Sequence, residues 1–230
     1  MVGKSKGSNR GRATSGARRH PVAVTLTVIL VVVSLLGLSF RIVLLPPVTT
    51  ALAGQTVNTQ LSSLSREELV AVAEVGRAYV DSVPGAEMPT GSDERTAFTP
   101  EVVRHMEDVR VVIQAAAYIT IALCALLLVV LIVIGTRYGK RTLGACLAIG
   151  GIAAIATVAI LGLIGVLNFN ALFTAMHELL FADGTWTFAA DSLLICAYPI
   201  GFWIGMATIW AISLLMLSAL TSILGFVLRR

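Results

Sequence analysis

Four long apolar runs divide the chain, at residues 22–45, 111–134, 143–167 and 200–227. Each is long enough to cross a bilayer as a helix, because a span needs ~20 predominantly apolar residues. The first run follows basic residues, as a signal peptide would, but it is longer than the ~7–15 apolar residues of a signal sequence. We therefore predict that it is retained as the first of four transmembrane helices.

Shorter patterns predict helices between the runs. Ser65 and Glu68 form a capping-box pattern ahead of apolar residues at helical spacing, which indicates an amphipathic helix over about 66–81. Pro46-Pro47 ends or bends the first helix. Thr99, as N-cap, and Pro100 predict the start of another helix, with no breaker before Gly135. The second transmembrane helix should therefore have an outer extension.

Residues 168–199 are too apolar for a free loop. The stretch FNALFTAMHELLF carries an apolar stripe at helical spacing, and ADGTW is typical of a turn. We expect this segment to lie in the membrane interface, over the mouth of the helix bundle.

Composition agrees with a membrane protein, since 57% of the residues are hydrophobic and 13% are charged, against about 25% charged in soluble domains. Cys124, Cys146 and Cys196 show neither disulfide nor metal-binding spacing. Cys196 lies near the predicted outer membrane boundary, where it is a candidate acyl-carrying nucleophile, although a structural role is the simpler interpretation. Paired glycines in the third run permit close helix packing but do not define an oligomeric state.

Charge placement predicts the topology. Lys and Arg occupy the N-terminal tail, the GTRYGKRT loop and the C-terminus, whereas all 13 carboxylates lie in 46–110 or 168–199. By the positive-inside rule, both termini and the GTRYGKRT loop are cytoplasmic. The basic tail should contact anionic lipid, at ~1 kcal/mol per basic residue, and we predict no nucleic-acid partner.

These patterns together predict an all-α polytopic membrane protein with four transmembrane helices and two extracytoplasmic interfacial segments. The predicted divisions are a basic cytoplasmic tail (1–20), the first helix (21–45), an extracytoplasmic segment with a short amphipathic helix (46–99), the second helix (100–134), a cytoplasmic loop (135–142), the third helix (143–167), an extracytoplasmic interfacial segment (168–199) and the fourth helix (200–228).

Histidine is the most suggestive residue type in the sequence. His20 belongs to the basic tail, but His105 and His177 are both predicted on the outer side at headgroup depth, beside carboxylates. With an unperturbed pKa of ~6.5, histidine suits proton transfer near neutrality. The pair is therefore a candidate acid and base around one lipid ester. The alternative is that each histidine is only an interfacial anchor.

Other functions have weaker support. HELLF lacks the second histidine of the HExxH zinc motif, although two histidines with carboxylates leave a metal-dependent lipid hydrolase open. No GxSxG elbow is present. Coupled transport is disfavoured, because the cores of the last three helices contain no Asp, Glu, Lys, Arg or His. A non-catalytic membrane scaffold remains a further alternative. We predict no cofactor and no bound metal.

Supporting roles are predicted for residues near the histidines and the membrane boundary. Asp108 is placed to orient His105, although Arg104 competes for it as an ion-pair partner. Aromatic residues at the boundary fit an interface belt or a substrate contact. The candidate supporting or substrate-orienting residues are Arg41, Asp108, Arg110, Glu178, Trp186, Ser192 and Tyr198.

The sequence contains the motifs HMEDVR at 105–110, HELLFADGTW at 177–186 and DSLLICAYPIGFW at 191–203. Together, these motifs resemble the lipoprotein intramolecular transacylase family of Gram-positive bacteria. The likeness covers nearly everything after residue 20. It implies four transmembrane helices in the bacterial cell membrane and an active site at the outer leaflet. It also implies that the sn-2 acyl chain of a diacylglyceryl lipoprotein moves to the α-amino group of the same N-terminal cysteine. The family's two histidines correspond to His105 and His177.

Overall fold

The structure, a computed structural model, describes residues 21–230. The predicted basic tail and His20 lie outside the described residues. Among the described residues all regular secondary structure is helical, apart from one isolated β-bridge between Thr90 and Phe98. The helices are α1 (Pro21–Val43), α2 (Pro46–Thr56), α3 (Arg66–Val80), α4 (Pro100–Tyr138), α5 (Lys140–Leu180), α6 (Leu193–Ala197) and α7 (Ile200–Arg229).

Four of these helices, α1, α4, α5 and α7, are long and apolar enough to cross a membrane. They form a bundle in which α5 packs along α7 and α1 contacts the other three. Outward-facing side chains are apolar, as at Ile160 and Leu163, and are more than half exposed, as expected of a surface solvated by lipid. The predicted fold class is confirmed. The buried bundle core contains Val31, Leu35, Leu147, Ala154, Val158 and Leu214.

Glycines bring α5 and α7 into backbone contact. A Cβ added at Gly151 would lie 2.5 Å from the Ser218 carbonyl oxygen, and one at Gly225 would lie 2.6 Å from that of Gly144. Small residues allow this approach, which membrane helices use for close packing. The glycines of this contact therefore serve packing within the chain.

The reversal between α4 and α5 is tighter than predicted. Residues 135–142 are not a loop, because α4 continues through Gly135 to Tyr138 and α5 begins at Lys140. Only Gly139 departs from helical geometry, with a φ of 83°. A glycine inside a helix costs only ~1 kcal/mol, so Gly135 did not end α4, whereas the left-handed conformation at residue 139 favours glycine.

Helix α2 was missed by the sequence analysis. Pro46-Pro47 ends α1, as predicted, but it also begins a new helix, with Pro46 at its first position. Proline is well suited there because its ring fixes a helical φ and its missing N–H would have had no partner. Helix α2 packs against α3 and α7 and buries Ala53 completely.

Of the two predicted N-terminal caps, one makes its hydrogen bonds and the other does not. The capping box is present: Ser65 Oγ accepts from the Glu68 N–H at 3.3 Å, and the Ser65 N–H donates to Glu68 Oε2 at 2.7 Å. Thr99 stands at the N-cap position of α4, but its side chain makes no capping hydrogen bond to the helix backbone, and Pro100 follows as the first helical residue.

One end of the bundle carries a second core, which we call the capped end (residues 44–110 and 168–203). Helices α2, α3 and α6 pack there with the start of α4 around Leu69, Phe98 and Leu193. The Leu193 N–H donates to the Glu94 carbonyl at 2.8 Å, and Arg95 pairs with Asp191 at 3.6 Å. Two segments distant in sequence are thus joined into a single body.

Candidate active site

The two histidines reach the capped end on different helices. His105 lies near the start of α4, and His177 lies in the last turn of α5. Helix α5 is kinked at Asn168, whose φ of −159° and ψ of 84° are not helical. The Asn168 Oδ1 then accepts from the Ala171 N–H at 3.0 Å, which caps the continuing helix. This outer part of α5 carries His177 to His105.

The imidazole rings face one another in a buried position. Their centroids are 6.3 Å apart with an interplanar angle of 25°, and each histidine is 7% exposed. The two side chains are therefore close enough to contact one bound ester group, each through a ring nitrogen in its own ring plane. The structure therefore brings the two predicted histidines into one site.

Aromatic rings surround the pair. His105 lies 5.0 Å from Phe181 and 5.6 Å from Phe188, measured between ring centroids. His177 lies 4.1 Å from Phe173 and 5.0 Å from Trp186. None of the three phenylalanines was predicted as a site residue. The one available signal was the position of Phe173, which stands four residues before His177 and so shares its helical face.

Hydrogen bonding distinguishes the polar atoms of the site. His177 Nδ1–H donates to the Phe173 carbonyl at 2.9 Å. A carbonyl only accepts, so the Nδ1 of His177 carries the proton, and the Nε2 of the neutral ring has a free lone pair. His105 Nδ1 and Trp186 Nε1 are buried and have no hydrogen-bond partner within residues 21–230.

The predicted carboxylate partners make no hydrogen bond to the histidines. Asp108 and Glu178 are exposed, and no hydrogen bond joins Asp108 to His105, whose Nδ1 has no partner in the described chain. Arg104 does not compete for Asp108, because it pairs with Glu101 at 3.0 Å. In this structure both carboxylates lie at the solvated edge of the site.

The predicted arginines hold the capped end together. Arg41, at the end of α1, pairs with Asp81 at 2.9 Å. Arg110 Nε donates to Ser82 Oγ at 2.9 Å, and its guanidinium carbon lies 5.1 Å from the centre of the Tyr79 ring. Both arginines thus fasten the end of α3 to the bundle.

Tyr198 and Ser192 have structural partners as well. The buried Tyr198 hydroxyl donates to the Ala73 carbonyl on α3, and burial raises the pKa of this hydroxyl, so it stays neutral. Ser192 Oγ accepts from the Ile195 N–H at 3.4 Å and caps α6. Cys196 is fully buried, and burial raises the pKa of its thiol, which favours the structural interpretation of that residue.

The site provides few side chains that could bind a metal ion. Within residues 21–230 no group of three or more His, Cys, Asp or Glu side chains comes together. The histidine pair alone provides two ligands, whereas catalytic zinc sites use three protein ligands. The geometry therefore gives the metal-dependent hydrolase no specific support.

Comparison with known proteins agrees with the motifs. Residues 23–203 match the family described as lipoprotein intramolecular transacylase Lit. The structure of the membrane-integral Lit of Bacillus cereus superposes with a TM-score of 0.73 at 18% identity, covering 90% of this chain and 94% of that one. A variant of that protein with a histidine replaced by alanine superposes with a TM-score of 0.63 at 17% identity, covering 90% and 92% of the two chains. None of the curated proteins matches the chain. Because the family match extends over most of the sequence, the chain belongs to the lipoprotein intramolecular transacylase Lit family and is a membrane-integral acyltransferase.

Proposed function

We propose that this transacylase moves the sn-2 acyl chain of a diacylglyceryl lipoprotein to the α-amino group of its N-terminal cysteine, with His105 and His177 as the acid–base pair. The product is the lyso-form lipoprotein. The observation that supports the proposal most directly is the pair of buried imidazoles, whose ring centroids are 6.3 Å apart, with aromatic rings packed beside both. The proposal places this site at the outer leaflet of the bacterial cell membrane, with both termini in the cytoplasm.

His177 is the base in this mechanism. The Phe173 carbonyl accepts from Nδ1–H at 2.9 Å, which leaves Nε2 to accept a proton from the attacking amine. An α-amino group has a pKa of ~7.7–8.0, so histidine is a competent base for it. The same carbonyl stabilises the imidazolium that forms, because the Nδ1–H bond becomes charge-assisted.

His105 assists the leaving group. The amine nitrogen forms a bond to the ester carbonyl carbon, and the bond from that carbon to the sn-2 oxygen of glycerol breaks. His105 donates a proton to this oxygen, and the proton held by His177 restores His105. No proton is gained or lost overall, and no covalent enzyme intermediate is needed.

Positioning accounts for much of the proposed rate enhancement. Amine and ester belong to one lipopeptide, so the enzyme must fold that substrate back on itself. Well-oriented intramolecular reactions reach effective molarities of ~10⁵–10⁸ M. The rings of Phe173, Phe181 and Phe188 offer apolar surface beside both histidines, where an acyl chain can be held.

Tandem mass spectrometry of a reporter lipoprotein tests the proposal. The reporter is expressed in a host that lacks other N-acylating enzymes, together with wild-type protein, His105→Ala or His177→Ala. We expect wild type to give an N-acyl, monoacylglyceryl cysteine of unchanged total mass. Either substitution should lower its yield by at least the 10²-fold typical of a lost acid–base catalyst.

Glu107→Gln is the matched control, because Glu107 is exposed and lies two residues after His105. This variant should convert the reporter as wild type does. Full conversion by both histidine variants, at equal protein levels in the membrane, would contradict the proposed roles. A cysteine that remains diacylglyceryl with a free amine in the presence of wild type would refute the reaction itself.

A further inference from the structure

Trp186 presents a buried hydrogen-bond donor without an acceptor. Its Nε1 is shielded from solvent and has no partner in residues 21–230. An indole N–H can only donate, and leaving a buried donor unpaired costs free energy. The indole N–H is therefore available to an acceptor, such as a carbonyl oxygen, that enters the site.

The neighbouring turn places this donor beside the proposed base. The Thr185 N–H and hydroxyl both donate to the Ala182 carbonyl, at 3.2 and 2.8 Å, and Gly184 adopts a φ of 78°. The chain thereby turns back after α5, and the Trp186 ring lies with its centroid 5.0 Å from that of His177. The unpaired donor belongs to the same site as the imidazole.

Other tryptophans of the described chain have their indole N–H satisfied internally. Trp203 Nε1 donates to the Tyr198 carbonyl at 3.1 Å, and Trp210 Nε1 donates to the Leu36 carbonyl at 3.5 Å. Burial alone therefore does not explain the unpaired donor of Trp186.

We infer that the Trp186 indole N–H binds the carbonyl oxygen of the lipid ester and stabilises the negative charge that develops there during acyl transfer. This inference rests on the proposed function. When the amine attacks, the carbonyl π electrons move onto this oxygen, and they return when the bond to glycerol breaks. A hydrogen bond from a donor to this oxygen is stronger in the transition state than in the ground state, because the oxygen then carries more negative charge. Such a bond therefore raises kcat.

Trp186→Phe removes the donor and keeps an aromatic ring. Rates are measured with purified protein and a synthetic diacylglyceryl-cysteine peptide. We expect kcat to fall roughly 10²–10³-fold, as on removal of one oxyanion donor in other enzymes, with little change in KM. Trp210→Phe is the matched control, because Trp210 lies in the membrane part of α7, and it should retain wild-type kcat.

Infrared spectroscopy provides a readout that does not depend on turnover. The probe is the same lipopeptide with an N-acetylated amine and a ¹³C label at the sn-2 carbonyl, which cannot react. Bound to wild type, its ester stretch should move to lower frequency, because the carbonyl accepts a hydrogen bond, and the shift should be lost in Trp186→Phe.

Four results would overturn the inference: no shift in wild type, a shift that persists in Trp186→Phe, a loss in that variant that lies only in KM, or no loss of rate in that variant. Wild-type conversion of the unblocked peptide separates the two proposals. If wild type converts the peptide but Trp186→Phe is as fast, only the role of Trp186 fails. If wild type converts nothing, the proposed function fails.

Discussion

At the residue scale, the contact between Tyr198 and Gly76 shows how closely α3 is fitted to the capped end. The Tyr198 hydroxyl donates to Ala73 and lies directly over Gly76. A Cβ at residue 76 would overlap this oxygen, and the ring carbon that bears it would be 3.2 Å away. The glycine is required by the hydroxyl, not by its own backbone conformation.

Gly76→Ala and Tyr198→Phe should therefore be coupled. Gly76→Ala alone should lower the free energy of unfolding strongly, because the hydroxyl must leave its buried hydrogen bond. Tyr198→Phe alone should cost about 1 kcal/mol for that bond. The double variant should be little worse than Tyr198→Phe, because removing the oxygen makes room for the methyl group. Thermal unfolding of the purified variants in detergent measures all three.

Gly54→Ala is the matched control for this cycle, since Gly54 is also helical and a Cβ there would meet nothing within 4 Å. Its melting temperature should not fall. If the loss of unfolding free energy in the double variant equals the sum of the two single losses, the two sites are independent. That result would show that the clash at residue 76 is relieved without moving Tyr198.

Some residues of the candidate site could be predicted from the sequence and others could not. His105 and His177 could be predicted because the sequence has only three histidines and these two stand beside carboxylates. Phe181 and Phe188 could not be predicted, because both lie beyond the end of α5, where the path of the chain depends on packing. Arg41 and Arg110 were ambiguous for a related reason: a cation at a helix end can contact headgroups, substrate or a carboxylate, and only the packing of α3 supplied Asp81 and Ser82.

At the element scale, prediction succeeded where local chemistry determines a helix end and failed where packing does. The capping box at Ser65 and the membrane spans depend on nearby residues alone. Helix α2 was missed because its buried face is only Thr49 and Ala53, too little for a periodic signal. The reversal at Gly139 was predicted as a longer loop because the polar residues on either side of Gly139 are as typical of helix ends as of loops.

The α5–α7 contact leads to a prediction about these two helices. Gly225→Ala places a methyl group against backbone atoms of Ala148 and Gly144, which cannot rotate away as a side chain can. The helices must separate, so the melting temperature should fall and the dispersion contacts of the bundle core should weaken. Thermal unfolding monitored in detergent provides the measurement.

Gly162→Ala is the matched substitution, in α5, where a Cβ meets nothing within 4 Å. It should leave the melting temperature unchanged or raise it, because alanine loses less backbone entropy than glycine in a helix. Equal melting temperatures for Gly225→Ala and Gly162→Ala would show that the close approach of α5 and α7 does not contribute to stability.

At the scale of the whole molecule, the two ends of the helix bundle differ in the charged residues that they carry. The capped end carries every carboxylate of the sequence and both histidines of the site, whereas the opposite end is the single turn at Gly139 and the terminus of α7, with basic residues at both. By the positive-inside rule we predict that the basic end is cytoplasmic. On that prediction the proposed site faces the outer leaflet of the membrane.

Cysteine accessibility tests this orientation. The native Cys124, Cys146 and Cys196 are first replaced by alanine, and one cysteine is then introduced at an exposed position, as Ser92→Cys in the capped end or Lys140→Cys at the tight turn. A membrane-impermeant maleimide should label Ser92→Cys in intact cells from which any outer barrier has been removed. It should label Lys140→Cys only after the membrane is opened. Arg137 and Arg141 remain beside the second position, so the local charge that directs insertion is largely kept. The reverse pattern would place the histidines on the cytoplasmic side, and the substrate would then have to be acylated before it is exported.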